Sequence, residues 1–245
     1  MPSISPQSLA ALSDLLNSPL FGITLSLAAY LLSNTLYQRT GKPALLHPVF
    51  AGAALVAIFL LYFDIPFASY QAGNEFLLFV LSTTTVALAV PLYRCGSRLR
   101  AAAIPVLITT FVGASFACAS AVIIAHYLGA TDSTILSLSP KSVTTPVALA
   151  LSKEMGGIAT VAAGAVILTG ITAISLGPPI LKALKVEDDR VWGFCLGLTG
   201  HGIGTARAFE RSQVAGAFAS LGLGLTGLST AIALPFVMRW LGYSF

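Results

Sequence analysis

Four stretches of the chain, 20–38, 44–63, 101–128 and 157–182, are long and apolar enough to cross a lipid bilayer as helices. A bilayer core of about 30 Å asks for about 20 helical residues, each rising about 1.5 Å. Inside hydrocarbon the backbone finds no water to bond, so each apolar run has to satisfy its own N–H and C=O groups as a helix. Only 9% of the 245 residues are charged, 56% are hydrophobic, and mean hydropathy is +0.87. A soluble domain carries roughly 25% charged residues, so the globular class is excluded. The predicted fold class is therefore all-α: a polytopic transmembrane helical protein of about 6–8 membrane segments. The chain is read as one membrane domain, 1–245, with an interfacial segment at 1–18 around Leu9, Leu12, Leu15 and Leu16. A first half over 20–128 and a second over 139–241 follow.

Three further stretches are less regular. The run 214–241 is rich in glycine, and 76–92 is interrupted by Ser82-Thr83-Thr84-Thr85 and Pro91. The run 191–211 holds Gly193, Gly197, Gly200, Gly202 and Gly204 together with His201 and Arg207, and either spans or re-enters. The apolar part that follows Pro146 ends at Leu151, about 9 Å of helix, and cannot span. Basic clusters orient the chain by the positive-inside rule. Arg39 and Lys42 lie two crossings before Arg94, Arg98 and Arg100. Lys182, Lys185 and Arg190 join that cytoplasmic side only if 142–155 dips in and returns as a re-entrant half-helix. The N-terminus and Lys141 are then outside. A faint two-fold internal repeat at a step of 114 places 84–122 over 198–236, with Thr85 on Thr199 and Gly113 on Gly227.

Polar groups in a membrane are costly and mark a substrate path. In Ser142-Val-Thr-Thr-Pro146, Thr145 suits an N-cap and Pro146 the first helical position. The free N–H groups of such a helix would point inward, where an anion can accept from them; the competing reading is that the hydroxyls of Ser142, Thr144 and Thr145 only glue helices together. In 199–207, the glycines loosen the helix, His201 can change charge near neutral pH, and Arg207 can grip a carboxylate. The competing readings are a packed, hydrogen-bonded His201 and a snorkelling Arg207 beside Glu210. The candidate substrate-binding residues are Ser142, Thr144, Thr145, His201, Gly202, Gly204, Thr205 and Arg207, with Thr84 and Thr85 from the first-half break. His201 is the candidate for proton coupling. His47, His126, Trp192 and Trp240 are read as interfacial.

None of the nine acids falls in the middle of an uninterrupted apolar span. A cation carrier usually places carboxylates there, so a site holding His201 and Arg207 favours anions. Cys95, Cys118 and Cys195 have no metal or disulfide spacing and read as small apolar fillers. The glycines do not form G-x-G-x-x-G and no G-x-S-x-G occurs, so no enzyme signature is found and no cofactor or metal is expected.

These motifs carry a resemblance. Thr84-Thr-Val-Ala-Leu-Ala-Val-Pro-Leu-Tyr93, Ser139-Pro-Lys-Ser-Val-Thr-Thr-Pro-Val-Ala148, Leu168-Thr-Gly170 and Gly200-His-Gly-Ile-Gly-Thr-Ala-Arg-Ala208 resemble the signature stretches of the LrgB/CidB family, over about 20–241. The family pattern has Gly-Pro where this chain has Ser82-Thr83, and Asn-Pro where it has His47-Pro48. The resemblance implies a multi-pass protein of the bacterial inner (plasma) membrane that carries small organic monocarboxylates of the pyruvate, glycolate, glycerate and lactate class. The alternative it implies is an antiholin-like regulator of murein hydrolase export and cell lysis. Partners expected on the same basis are a small organic anion, the lipid bilayer, a small LrgA/CidA-type membrane protein and a second copy of the chain as a dimer. Nucleic acid is not expected.

Overall fold

A computed structural model describes residues 14, 18–43, 46–87, 89–94 and 96–245. The described residues form helices and turns, with no strand among them. The interfacial leucines and Cys95 lie outside the described residues, as do the side chains of Ser82, Thr84 and Thr85. Contacts divide the chain into two compact units, Met1–Ala87 and Leu88–Phe245.

The first unit holds α1 (Pro19–Arg39), α2 (Pro48–Tyr62), α3 (Phe67–Gly73) and α4 (Glu75–Ala87). Pro19 and Pro48 stand in the first helical turn, where the missing N–H costs nothing. Ser18 Oγ caps α1 by accepting from Phe21 N at 3.3 Å. Ser26 on α1 bonds the Tyr70 hydroxyl and Asn74 Oδ1, each at 2.8 Å, which ties α3 to α1. His47 is 4% exposed and meets the Tyr37 ring edge-on at 5.4 Å. The backbone over 82–85 continues as helix within α4, so the expected break does not fall there.

The second unit holds α5 (Ala89–Arg94), α6 (Gly96–Ala101), α7 (Ala103–Tyr127), α8 (Asp132–Leu138), α9 (Thr145–Glu154), α10 (Ala159–Ala183), α11 (Asp189–Arg211) and α12 (Gln213–Trp240). Among the described residues, Leu20–Arg39 of α1, α7, α10 and α12 are the four helices long and apolar enough to cross a membrane. Their outward faces are apolar: on α7, Ile104, Leu107, Ile108, Phe111, Val112 and Phe116 are exposed at helical spacing, as a lipid-facing stripe requires. This is a polytopic helical membrane protein.

Between these long helices lie two elements that enter and return. In the first, α8 leads in and α9 leads out. Ser137 Oγ accepts from Ile158 N at 2.6 Å, and Leu136 clusters with Leu151 and Met155. The tip reaches further, because Val143 and Ala148 pack on Val166 of α10, eight residues or about 12 Å beyond Ile158. Residues 132–154 therefore form a hairpin against α10, with two differences from the expected half-helix. The hairpin begins at Asp132, and Lys141 lies at its tip. The N-cap is Thr144, one residue before the expected Thr145, and Pro146 is the second helical residue.

The second element is α11, a single helix in hydrogen-bonding terms but a hairpin in shape. His201 has φ 40° and ψ −126°, far from helical values, and the chain reverses there. Arg211 Nε reaches Asp189 Oδ1 at 2.6 Å, and Ser212 Oγ reaches Asp189 Oδ2 at 2.5 Å. Both ends of α11 thus share one mouth, so 191–211 folds back as a hairpin. Glycine permits the close packing. A Cβ on Gly204 would strike the Leu196 carbonyl of the other arm. Gly193 and Gly197, one helical turn apart, lie directly on the Ala215 and Ala219 carbonyls of α12. Such small-residue seams are the usual packing device inside membranes, where burial against lipid tails supplies little drive.

Hairpin one opens beside the C-terminal end of α7 and hairpin two beside the C-terminal end of α10. Because α10 runs between them, they open at opposite ends of that helix. Lys182, Lys185, Arg190 and Arg211 gather at the mouth of hairpin two.

Candidate functional site

The two tips meet on α10. Val143 and Ala148 of hairpin one touch Val166, and His201 Nε2 lies 2.9 Å from the Val166 carbonyl oxygen. A carbonyl can only accept, so Nε2 carries the proton and Nδ1 is the titrating nitrogen of the neutral ring. One turn along α10, a Cβ on Gly170 would press on Ile203 Cδ1 at 2.7 Å and on His201 Cε1 at 3.0 Å. Gly170, the last residue of Leu168-Thr-Gly170, is what lets the tip of hairpin two seat here.

His201 is 4% exposed and held in a backbone conformation that favours glycine. Such strain costs on the order of 1–3 kcal/mol and persists where the surroundings over-determine it. Three contacts do so: the Val166 bond, the seat at Gly170, and Thr205 Oγ1 donating to the His201 carbonyl at 2.8 Å.

The other expected site residues divide between the tips and the arms. Ser142 Oγ accepts from Lys141 Nζ at 3.3 Å, and Ser142, Thr144 and Thr145 are all half-buried at the start of α9. Gly202 is exposed, with nothing within 4 Å of an added Cβ, so the tip of hairpin two is open on that side. Gly204 serves the packing of the two arms. Arg207 stands six residues beyond the tip, roughly 9 Å up the arm, where Nη1 donates to Glu210 Oε2. Thr84 and Thr85 belong to the other unit, and their side chains are outside the described residues. Trp192 is 6% exposed under the Arg211 guanidinium, 4.9 Å from the ring centroid. Trp240 is 85% exposed and His126 is exposed in the last turn of α7.

The residues that motif reading passed over are Lys141, Val166 and the Asp189–Arg211 pair. Lys141 had a usable signal, a cation inside a segment already read as dipping into the membrane. The other two become visible only once the chain is folded. Among the described residues no cluster could hold a metal ion. An apolar cavity of about 370 Å³ between α7 and α12, walled by Phe111, Cys118, Val122, Leu234 and Trp240, offers a carboxylate no charged partner.

Each hairpin and its following helix form one repeated element. Asp132–Glu154 with α10 matches Asp189–Arg211 with α12 at a step of 57 for three of the boundaries (132 to 189, 154 to 211, 183 to 240), while the long helices start 54 apart (159 to 213). The same step carries Leu168-Thr-Gly170 onto Leu225-Thr-Gly227 and Thr144 onto His201. The second element runs antiparallel to the first, because α12 starts at the end of α10 where hairpin two opens. The 114-residue step read from the sequence is twice this value.

Family comparison agrees with the motifs. The model of the LrgB-like family matches residues 26–240. The chain belongs to the LrgB-like family. Curated relatives match LrgB-like sequence nearly end to end. The Antiholin-like protein LrgB of Bacillus subtilis is 31% identical over 225 residues, covering 92% of this chain and 97% of that protein. The protein of the same name in Bacillus mycoides is 30% identical over 225 residues, with 92% and 98% covered. YwbG of Bacillus subtilis, described as uncharacterized, is 33% identical over 217 residues, with 89% and 96% covered. No solved structure matches.

Proposed function

We propose that this LrgB-like protein carries a small organic monocarboxylate across the bacterial inner membrane by alternating access, linked to proton movement. The observation that supports this reading is the meeting of two oppositely oriented hairpin tips on Val166 and Gly170 of one crossing helix. Broken segments in inverted repeats that converge near the midplane are the architecture of secondary transporters. Ser142, Thr144, Thr145, His201, Gly202 and Thr205 border that meeting point. His201 suits proton coupling, because a proton added at Nδ1 leaves the Nε2–H bond to Val166 intact. Arg207 stands further up the arm and would meet the substrate on its way in or out. A small LrgA/CidA-type membrane protein and a second copy of the chain are the partners this reading carries over from the family.

A second reading has a specific observation in its favour. The relatives are named antiholin-like, and those names support a membrane regulator of murein hydrolases more directly than a carrier. Purified protein in liposomes separates the two. A carrier gives saturable uptake of glycolate or pyruvate, a response to an imposed pH gradient, and counterflow, in which unlabelled substrate inside speeds entry of label. Unsaturated flux with ionic conductance and no counterflow overturns the carrier reading and leaves the regulator.

A further inference from the structure

Lys141 is the residue whose position the fold changes most. It follows the ingoing arm of hairpin one, Asp132–Leu138, and precedes the start of α9. Val143, two residues further on, packs on Val166 of α10, seven residues or about 10 Å past the start of that helix at Ala159. In a bilayer core of about 30 Å this is well inside the apolar layer. A cation at that depth is expensive and is retained where a partner compensates it.

The partner is not a carboxylate of this chain among the described residues. The ion pairs there join Arg190 to Asp188, Arg207 to Glu210 and Arg211 to Asp189, all on or beside hairpin two. Lys141 has the Ser142 hydroxyl at 3.3 Å, a neutral group that leaves its charge uncompensated. Both residues are half-buried, so neither is sealed into the packing. The neighbouring residue, Val143, is 1% exposed and fixed on Val166, the helix position that also anchors His201. The tip is thus held firmly, with a cation and a hydroxyl adjacent in sequence and facing the same region.

We infer that Lys141 and Ser142 form the carboxylate-binding half of the substrate site, the Lys141 ammonium pairing with the anionic end of a small organic acid. The inference rests on the carrier reading and deepens it. It moves the carboxylate from Arg207, which already holds Glu210, to the opposite hairpin. A point cation on a flexible stem suits a ligand that must be released on each cycle, where a bidentate arginine clamp would hold longer.

The test uses purified, full-length protein with radiolabelled glycolate and its neutral isostere glycolamide. Wild type is expected to bind glycolate, with glycolamide at least 10-fold weaker. Lys141→Met should bind glycolate about 10- to 150-fold more weakly, the loss of one charge-assisted hydrogen bond. Lys141→Arg should recover part of that loss. In a chain that keeps Lys141, Ser142→Cys should be alkylated more slowly with glycolate present and at an unchanged rate with glycolamide, a measurement that holds even if Lys141→Met fails to fold. Wild-type glycolate affinity in folded Lys141→Met, or no protection at Ser142→Cys, overturns the inference and leaves the carrier reading in place. A wild-type protein that binds none of glycolate, glycerate, lactate and pyruvate overturns both.

Discussion

Arg211 Nε donates to Asp189 Oδ1 at 2.6 Å, although 22 positions separate the two residues within what hydrogen bonding alone would describe as one helix. A continuous helix would hold them roughly 33 Å apart. The pair therefore closes a loop: two arms of about three turns each, reversed at His201 and clasped at the mouth. The clasp is reinforced by Ser212 Oγ on the same carboxylate and by Arg211 over the Trp192 ring.

Topology gives the first prediction. In a background with the three cysteines replaced, single cysteines at Lys185 and Gln213 should react with an impermeant thiol reagent from the same face. Those at Ser133 and Glu154 should react from the opposite face. If α11 crossed the bilayer, Lys185 and Gln213 would label from opposite faces.

Close packing gives the second. Gly197→Ala drives a methyl group into the Ala219 carbonyl and should lower stability by about 1–3 kcal/mol or more, since backbone cannot step aside cheaply. Gly224→Ala meets nothing within 4 Å and should raise stability by up to about 1 kcal/mol through helix propensity. Thermal unfolding in one detergent compares them. Equal effects would show that the seam between α11 and α12 is not as tight as described.

His201 supplies the third. His201→Gly relieves strain of about 1–3 kcal/mol while losing a hydrogen bond of about 0.5–1.5 kcal/mol, so its melting temperature should stay near wild type. His201→Val keeps the strained backbone, adds a β-branch and loses the bond, and should be clearly destabilised. In liposomes, His201→Gly should flatten the pH dependence of uptake more than it changes apparent KM. A wild-type pH profile in that variant would remove His201 from proton coupling.

The fourth concerns acid stability at the mouth of hairpin two. Hydrogen bonds from Arg190 hold the Asp188 carboxyl at about 2, and bonds from Ser212 and Arg211 hold Asp189 below the ordinary carboxylate range. Both values are lower in the folded than in the unfolded chain. Their contribution is therefore present above the unfolded carboxylate range, near pH 4, and is lost as pH falls toward 2. Both side chains are more than a third exposed, so the Asp189–Arg211 coupling should be only about 0.2–1 kcal/mol. A double-mutant cycle with Asp189→Asn and Arg211→Gln, melted at pH 6 and at pH 2, should show the coupling at the higher pH and less at the lower. Coupling undiminished at pH 2 would mean the carboxylate is held by something other than this ionised pair.

The sequence by itself determined that the chain lives in a bilayer and is helical, because runs of about 20 apolar residues with few charges have no other stable solution there. It also showed that the apolar run after Pro146 is too short to span, which leads to the expectation that 142–155 folds back. The motifs around Thr144 and His201 were legible because polar groups in an apolar chain stand out. Tertiary structure decided the rest. Whether 191–211 crossed was open, because its length permits either and only the contact of Arg211 with Asp189 reveals the reversal. Lys141 was placed outside until Asp132–Leu138, too short and too polar to signal a membrane arm, proved to be the way in. The roles of Gly170, Gly193, Gly197 and Gly204 were likewise hidden, since glycine spacing shows where a backbone can bend or be approached, while the carbonyl that approaches it comes from a segment distant in sequence. Local chemistry fixed which groups needed partners; only packing across the two hairpins and α10 determined which partners they found.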